Sequence, residues 1–213
     1  MRVIAGKHRG RPLQAPPGRT TRPMPDRVRE SLFNTLGHRF GTPGTLPELD
    51  VLDLFAGSGS LGIEALSRGA RSCLFVERDR RSLRILRENL RQLGLESDAR
   101  ISAENAWTMR FPSSPEPAQA QKRGQDPFRL VFLDPPYRDV LDPTAVLDLL
   151  ERLAPALAPD ALVILRLPLN ATMTEHAFTA LTCCDERTFG SMRVVFLRPA
   201  AAGNGDVRMP NSE

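Results

Sequence analysis

The chain has 213 residues, 41% of them hydrophobic, which is enough for one domain with a core of its own. No apolar run is long enough to cross a bilayer, Met1-Arg2-Val3-Ile4-Ala5-Gly6-Lys7 lacks the apolar core of a signal peptide, and Cys73, Cys183 and Cys184 are too few and wrongly spaced for a disulfide or zinc framework. The net charge is +4, and eight basic against two acidic residues give positions 1–30 a local +6, leaving −2 for the rest. Buried free thiols in a cytoplasmic compartment are expected, with a basic end suited to phosphates.

In chain order, Arg2 to Ala5 and Arg11 to Gln14 flank Gly6-Lys7-His8-Arg9-Gly10, which predicts a β-hairpin with a basic tip. Pro16-Pro17-Gly18 ends it, and Thr20 to Pro25 is an extended connector. Arg27 to Leu36 shows a helical apolar face, with Gly37 as its stop. Strands are then expected at 51–55, 72–77, 99–103, 129–134 and 161–167. A helix capped by Asp79 is expected to end at Gly94, and another opens at Asp142-Pro143. A weak helix over 173–181 precedes two final strands, 183–189 and 192–197, joined across Gly190. The stretch 112–127 reads as a mobile loop and 200–213 as a disordered tail. Residues 1–40 thus form a basic extension and 41–199 an α/β domain. Alternating strands and helices predict a doubly wound, mostly parallel, seven-stranded sheet.

In such a sheet, ligands bind at the carboxyl ends of the strands, near the point where strand order reverses. Val51 to Gly62 supplies a strand, a glycine turn and a helix start. Gly57 and Gly59, with Gly62, spell the G-x-G-x-x-G of nucleotide-binding turns. Asp53 on the preceding strand is a poor neighbour for a pyrophosphate and a good one for a ligand with an amino group. Glu77, about twenty residues on, is placed to accept hydrogen bonds from ribose hydroxyls. After the third strand, Asn105, with Glu104 close behind, is a candidate reader of an adenine amino group. No His/Cys cluster is present to hold a metal, and none is expected.

Asp134-Pro135-Pro136-Tyr137 closes the fourth strand. Two prolines stiffen that loop, because neither has an N–H and both fix φ. It presents a carboxylate, a backbone carbonyl and an aromatic ring. Asp134 and the Pro135 carbonyl can each accept one hydrogen of an exocyclic amine, while Tyr137 lies against the base. The amine lone pair is then aimed at an electrophile, and the developing positive charge is stabilised. A carboxylate is too weak a base to deprotonate a neutral aryl amine beforehand, so the proton leaves after transfer.

The turn Asp53-Leu54-Phe55-Ala56-Gly57-Ser58-Gly59-Ser60 is similar to the first motif of class I methyltransferases, in a Rossmann-like fold. Val131 to Tyr137 resembles the Asp/Asn-Pro-Pro-Tyr motif of enzymes that methylate exocyclic amines of nucleobases. Arg2 to Lys7, Gly10-Arg11, Thr21-Arg22-Pro23 and Asp26 to Asn34 look like the bacterial 16S rRNA guanine-N2 methyltransferase family. Over residues 1–199 this resemblance implies S-adenosyl-L-methionine as cofactor, with Phe55 among its contacts. It also implies one guanine of 16S rRNA, in an assembled or partly assembled small ribosomal subunit, as the target. Arg2, Lys7, Arg9, Arg11, Arg22 and Arg27, with Arg29 beside them, would grip RNA phosphates. The lack of a spare apolar stripe predicts a monomer. Met24-Pro25 departs from the family pattern by losing a side-chain helix cap, which leaves Pro25 as the first helical residue. An adenine-N6 methyltransferase would share the rim chemistry. A nicotinamide-dependent oxidoreductase would need neither Asp53 nor Asp134 to Tyr137, and a non-catalytic RNA-binding assembly factor would have no use for the rim.

Overall fold

A computed structural model of the chain describes residues 1–15, 24–111, 127–140, 143–171 and 178–200. Arg22, the 16–18 stop, the connector up to Pro23, loop residues 112–126, Asp142, residues 173–177 of the expected weak helix and the tail from 201 lie outside these. The helices are α1 (Asp26–Arg39), α2 (Ser60–Ser67), α3 (Arg80–Leu93) and α4 (Pro143–Leu153). The strands are β1 (Asp50–Leu54), β2 (Ser72–Val76), β3 (Ala99–Ser102), β4 (Phe128–Leu133), β5 (Leu157–Pro168), β6 (Leu181–Phe189) and β7 (Met192–Pro199). They form one sheet in the order β3-β2-β1-β4-β5-β7-β6. β1 to β5 run parallel, and β7 is antiparallel to both β5 and β6. The chain winds outward from β1 through β2 and β3, then returns to β4 on the other side of β1. The order therefore reverses between β1 and β4.

Period-two alternation divides the core between the two faces of the sheet. Val51, Leu130, Phe132, Leu162 and Ile164 pack with α1, α2 and α3. Leu52, Leu54, Val131, Leu133, Val163 and Leu165 pack with Val146, Leu149, Leu150 and Leu153 of α4. Continued to the strand ends, the same alternation sends Asp53, Asp134 and Arg166 to the α1 side. The amphipathic α3 starts at Asp79, whose carboxylate accepts the Ser82 N–H at 2.8 Å, and ends at Gly94 in a left-handed conformation.

Four expectations need correction. Gly37 does not end α1. It is buried inside the helix, and its carbonyl accepts the Thr42 N–H at 2.7 Å, so it marks a close approach of the following loop. Pro25 is the N-cap of α1, not its first residue, and it makes no side-chain cap bond. Of the cysteines only Cys73 is fully buried; Cys183 and Cys184 are half-buried on β6, and all three are free.

The fourth concerns the extent of the N-terminal hairpin. Residues 1–13 do fold back on themselves, through an antiparallel bridge between Arg2 and Pro12 and through the Val3 N–H to Arg11, Gly10 N–H to Val3 and Leu13 N–H to Met1 carbonyl bonds at 3.0, 2.9 and 2.9 Å, but the pairing is too short to make two regular strands. The backbone donors around the tip go to α2 instead. Ile4 and Ala5 N–H donate to the Glu64 carboxylate at 2.7 and 3.0 Å. Lys7 N–H donates to the Ser67 carbonyl and His8 N–H to its hydroxyl, at 2.8 and 3.0 Å. A Cβ on Gly6 would lie 1.8 Å from the Ser67 carbonyl oxygen, so only glycine permits this docking. The basic tip therefore sits at the C-terminal end of α2, with Lys7 Nζ 3.4 Å from Asp98 just before β3.

Candidate active site

β1 ends in a turn that is strained at one residue. Phe55 has φ +61°, the one non-glycine in the left-handed region among the described residues, followed by Gly57 at +57° and Gly59 at +82°. A bulky side chain held there is costly and points to a ligand-facing role. Two carboxylates brace the turn. Asp53 Oδ2 accepts the Gly62 N–H from below at 2.9 Å, and Glu77 Oε2 accepts the Gly57 N–H at 2.9 Å. Asp53 is only 1% exposed, so it sits beneath the turn and not on its surface. Glu77 is half-buried at the end of β2, and its Oε1 takes the Asp79 N–H at 2.7 Å.

The fourth strand delivers Asp134-Pro135-Pro136-Tyr137 to the same rim, with Leu133 directly beside Leu54 in the sheet. Asp134 and Tyr137 are half-buried, Pro135 is buried, and Tyr137 opens a short 3-10 turn to Val140. Asp134 Oδ1 lies 2.6 Å from Nε of Arg166, which stands next to Leu165 on β5 and is 5% exposed. The same guanidinium lies 5.3 Å from the centre of the Tyr137 ring.

The rim gathers three carboxyl groups, Asp53, Glu77 and Asp134, and one guanidinium, Arg166. Burial pushes the Asp53 carboxyl up to about 8, against the opposing pull of the Gly62 N–H, and Asp134 and Glu77 raise it further. Burial also raises Asp134, to about 6, while Arg166 holds it back. Carboxyl groups beneath and beside the turn, with Arg166 engaged by Asp134, suit a ligand carrying a cation better than a pyrophosphate.

Several participants were not visible in sequence. Trp107, in the loop after β3, packs on Phe55 with ring centroids 4.7 Å apart, and its indole N–H donates to Asp139 at 3.2 Å. Arg152 of α4 donates to the Trp107 and Met109 carbonyls, both at 2.7 Å. These contacts bind the loops after β1, β3 and β4 into one wall. Asn105 Oδ1 accepts the Trp107 N–H at 3.2 Å, and the exposed Glu104 accepts the Ser102 hydroxyl at 2.5 Å. Each therefore has a local partner, and both flank the wall.

Arg2, Lys7, Arg9, Arg11 and Arg27 are exposed. Arg2 pairs with Asp26 at 3.4 Å, and Arg11 donates to the Gln92 carbonyl at 3.3 Å. Arg29 is a correction. It is fully buried, donating to Asp26 at 2.9 Å and lying 4.0 Å from Glu64, so it cannot reach a phosphate.

Comparison with known proteins follows the same lines. A family model described as "Conserved hypothetical protein 95" matches residues 1–198. The Bacillus subtilis protein YlbH is 43% identical over 140 residues, 65% of this chain and 68% of its own length. Ribosomal RNA small subunit methyltransferase D of Escherichia coli is 40% identical over 138 residues, 65% of this chain and 61% of its own length. The solved structure of yhhF from Escherichia coli superposes with a TM-score of 0.73 at 32% identity, covering 94% of this chain and 98% of that one. The fold is that of class I S-adenosylmethionine-dependent methyltransferases.

Proposed function

The chain belongs to the family described as Conserved hypothetical protein 95, and on that footing we propose that it transfers a methyl group from S-adenosylmethionine to the exocyclic N2 of one guanine in 16S ribosomal RNA. The coarser part, a methyltransferase acting on ribosomal RNA, is supported by the Escherichia coli relative named for that activity, which aligns over 61% of its length. The finer part is carried by one observation: Asp134 to Tyr137 directly follows β4, the strand next to β1, and so stands beside the glycine turn.

The residues present fit the cofactor. Glu77 would hold the ribose hydroxyls, Asn105 or Glu104 the adenine amino group, and Phe55 and Trp107 would flank the ring. The rim's carboxylates suit a cation, and Asp53 keeps the turn in shape from beneath. When bound, S-adenosylmethionine supplies an activated methyl group on a sulfonium centre. Asp134 and the Pro135 carbonyl accept the two amine hydrogens, which favours a pyramidal nitrogen and stabilises its developing charge. Tyr137 supports the base, which is extruded from its stack to reach the rim. Most of the acceleration comes from this positioning. After transfer the proton passes to Asp134 or to water.

The substrate in this reading is the assembled or partly assembled small subunit, held by phosphate contacts from the exposed arginines and acted on by a monomer in the cytoplasm. Among the described residues Leu169 is the one large apolar side chain left exposed, which supports the monomer. No described helix is long and apolar enough to cross a membrane. The test is to supply labelled S-adenosylmethionine and undermethylated small subunits, digest the RNA and identify the product nucleoside. N2-methylguanosine is expected with wild type and none with Asp134→Ala, which should still bind the cofactor by calorimetry. N6-methyladenosine would move the chemistry to adenine, and no transfer at all would overturn the reading.

A further inference from the structure

Arg166 is the one charged residue between positions 161 and 168 of β5, at the level of Leu165 and Pro168 where the strand meets the rim. Nine-tenths of a cationic side chain is withdrawn from water there, an arrangement that persists only where a nearby anion compensates. The anion is Asp134, at 2.6 Å. The sheet itself sets this up. Leu133 and Leu165 are register partners, so the next residue on each strand meets the other on the same face. Beyond the pair lies the Tyr137 ring, 5.3 Å from the same guanidinium.

Resting on the functional reading above, we propose that Arg166 is the positioning residue of this site. Its guanidinium fixes the Asp134 carboxylate through Oδ1 and the Tyr137 ring through its face, and leaves Oδ2 for the amine hydrogen of the target base. A planar guanidinium suits this task because one rigid group engages a carboxylate and an aromatic face at once; a lysine ammonium offers a point charge and no plane. Arg166 also keeps the acceptor in the form the chemistry needs. A protonated Asp134 would present a donor where the base presents a donor. The titratable groups facing Asp134 are Arg166 from β5 and Asp53 from β1; burial keeps Asp53 mostly neutral at pH 7, and Arg166 is the one that favours the Asp134 carboxylate.

The experiment compares wild type, Arg166→Met and Arg166→Lys for single-turnover methyl transfer to undermethylated small subunits between pH 5.5 and pH 9. Cofactor and subunit binding are measured in parallel. Arg166→Met should be slower at pH 7 by about 100-fold, the scale of a misplaced reacting group. Its acid limb should move to higher pH, so that part of the loss is recovered toward pH 9. Cofactor and subunit affinities should stay within about twofold. Arg166→Lys, which keeps the charge and loses the plane, should be impaired by about 10-fold with its acid limb nearly in place, and it carries the test if Arg166→Met fails to fold. An active wild type matched in rate and pH profile by either variant would overturn the assignment alone. So would loss of cofactor binding in step with rate, which marks a purely structural role. A wild type that transfers no methyl to the subunit would overturn the functional reading and the assignment with it.

Discussion

Asn89 of α3 donates to the Ser58 carbonyl inside the glycine turn at 3.0 Å, and the same side chain pairs with both backbone groups of Gln14. It accepts the Gln14 N–H at 2.8 Å and donates to its carbonyl at 3.1 Å. One buried amide therefore ties the N-terminal segment to the cofactor turn. Asn89→Leu keeps the size and removes all three bonds, leaving Ser58 and Gln14 groups unpaired. The expected cost is about 1–3 kcal/mol in denaturant unfolding, together with weaker S-adenosylmethionine binding by calorimetry. A variant that loses stability and binds the cofactor as tightly as wild type would show that the turn holds its shape without α3.

Glu64 on α2 plays the matching part for residues 4 and 5. It is 1% exposed, accepts two backbone N–H groups from that segment, and pairs with Arg68 at 2.8 Å. Glu64→Gln turns one accepting oxygen into a donor facing donors and leaves Arg68 and Arg29 short of an anion. Breaking a buried pair in this way costs about 3–5 kcal/mol. The N-terminal segment should be released first, so trypsin should cleave near Lys7, Arg9 and Arg11 well before it attacks the sheet. Simultaneous cleavage throughout would mean that Glu64 supports the whole domain.

The strands and the glycine turn were legible because period-two apolar runs and glycine spacing report backbone geometry directly. Asp53, Glu77 and Asp134 could be placed on one rim because each ends such a run. What sequence does not report is burial. Arg29 stands among surface arginines and reads as one of them, yet the fold encloses it beside the equally buried Glu64. Arg166 breaks an apolar strand with no local hint of its partner, because the pairing depends on the register between β4 and β5. Trp107 sits in a loop, where its contact with Phe55 is set by three strands folding together. The N-terminal fold-back is local, but its seat on Glu64 and Ser67, some sixty residues away, is not.

Asp53 offers a pH test that needs no substrate. Its carboxyl is raised by burial to about 8, well above the value near 4 of an unfolded chain. Between those values the folded protein holds a proton that the unfolded chain has lost. Stability therefore falls as pH rises through that window and levels off above about 8. Asp134, raised to about 6, adds a slope of the same sign at lower pH, His8 an opposing one just below 6.5 and Cys73 one of the same sign near 9, so in the window from pH 6 to pH 9 it is the difference between wild type and a variant at position 53 that reports Asp53. Asp53→Asn can still accept the Gly62 N–H and cannot ionise. Its unfolding free energy should be flatter across that window, by up to about 1.4 kcal/mol per pH unit. It should exceed that of wild type at pH 9. Equal slopes for the two proteins would mean that Asp53 ionises with the rim already folded around it.

Arg27 and Arg29 are two residues apart on α1 and should behave oppositely. α1 runs antiparallel to β4, with Phe33 against Phe132 near the strand's end and Phe40 under Arg129 near its start, so its first turn faces the rim. Arg27 is exposed on that turn, and Arg29 points inward with no surface at all. If Arg27 contacts an RNA phosphate, Arg27→Ala releases one fewer counterion on binding. The plot of log affinity against log salt should then become shallower by about 0.7–0.9, with stability unchanged. Arg29→Ala removes a buried cation from Asp26 and Glu64 and should cost about 3–5 kcal/mol of stability. At a temperature where it remains folded, its salt slope should equal that of wild type. A shallower slope for Arg29→Ala alone would place the phosphate contact on the segment that Arg29 holds, through the Arg2 carbonyl at 2.5 Å, and would move the RNA from the first turn of α1 to the N-terminal loop.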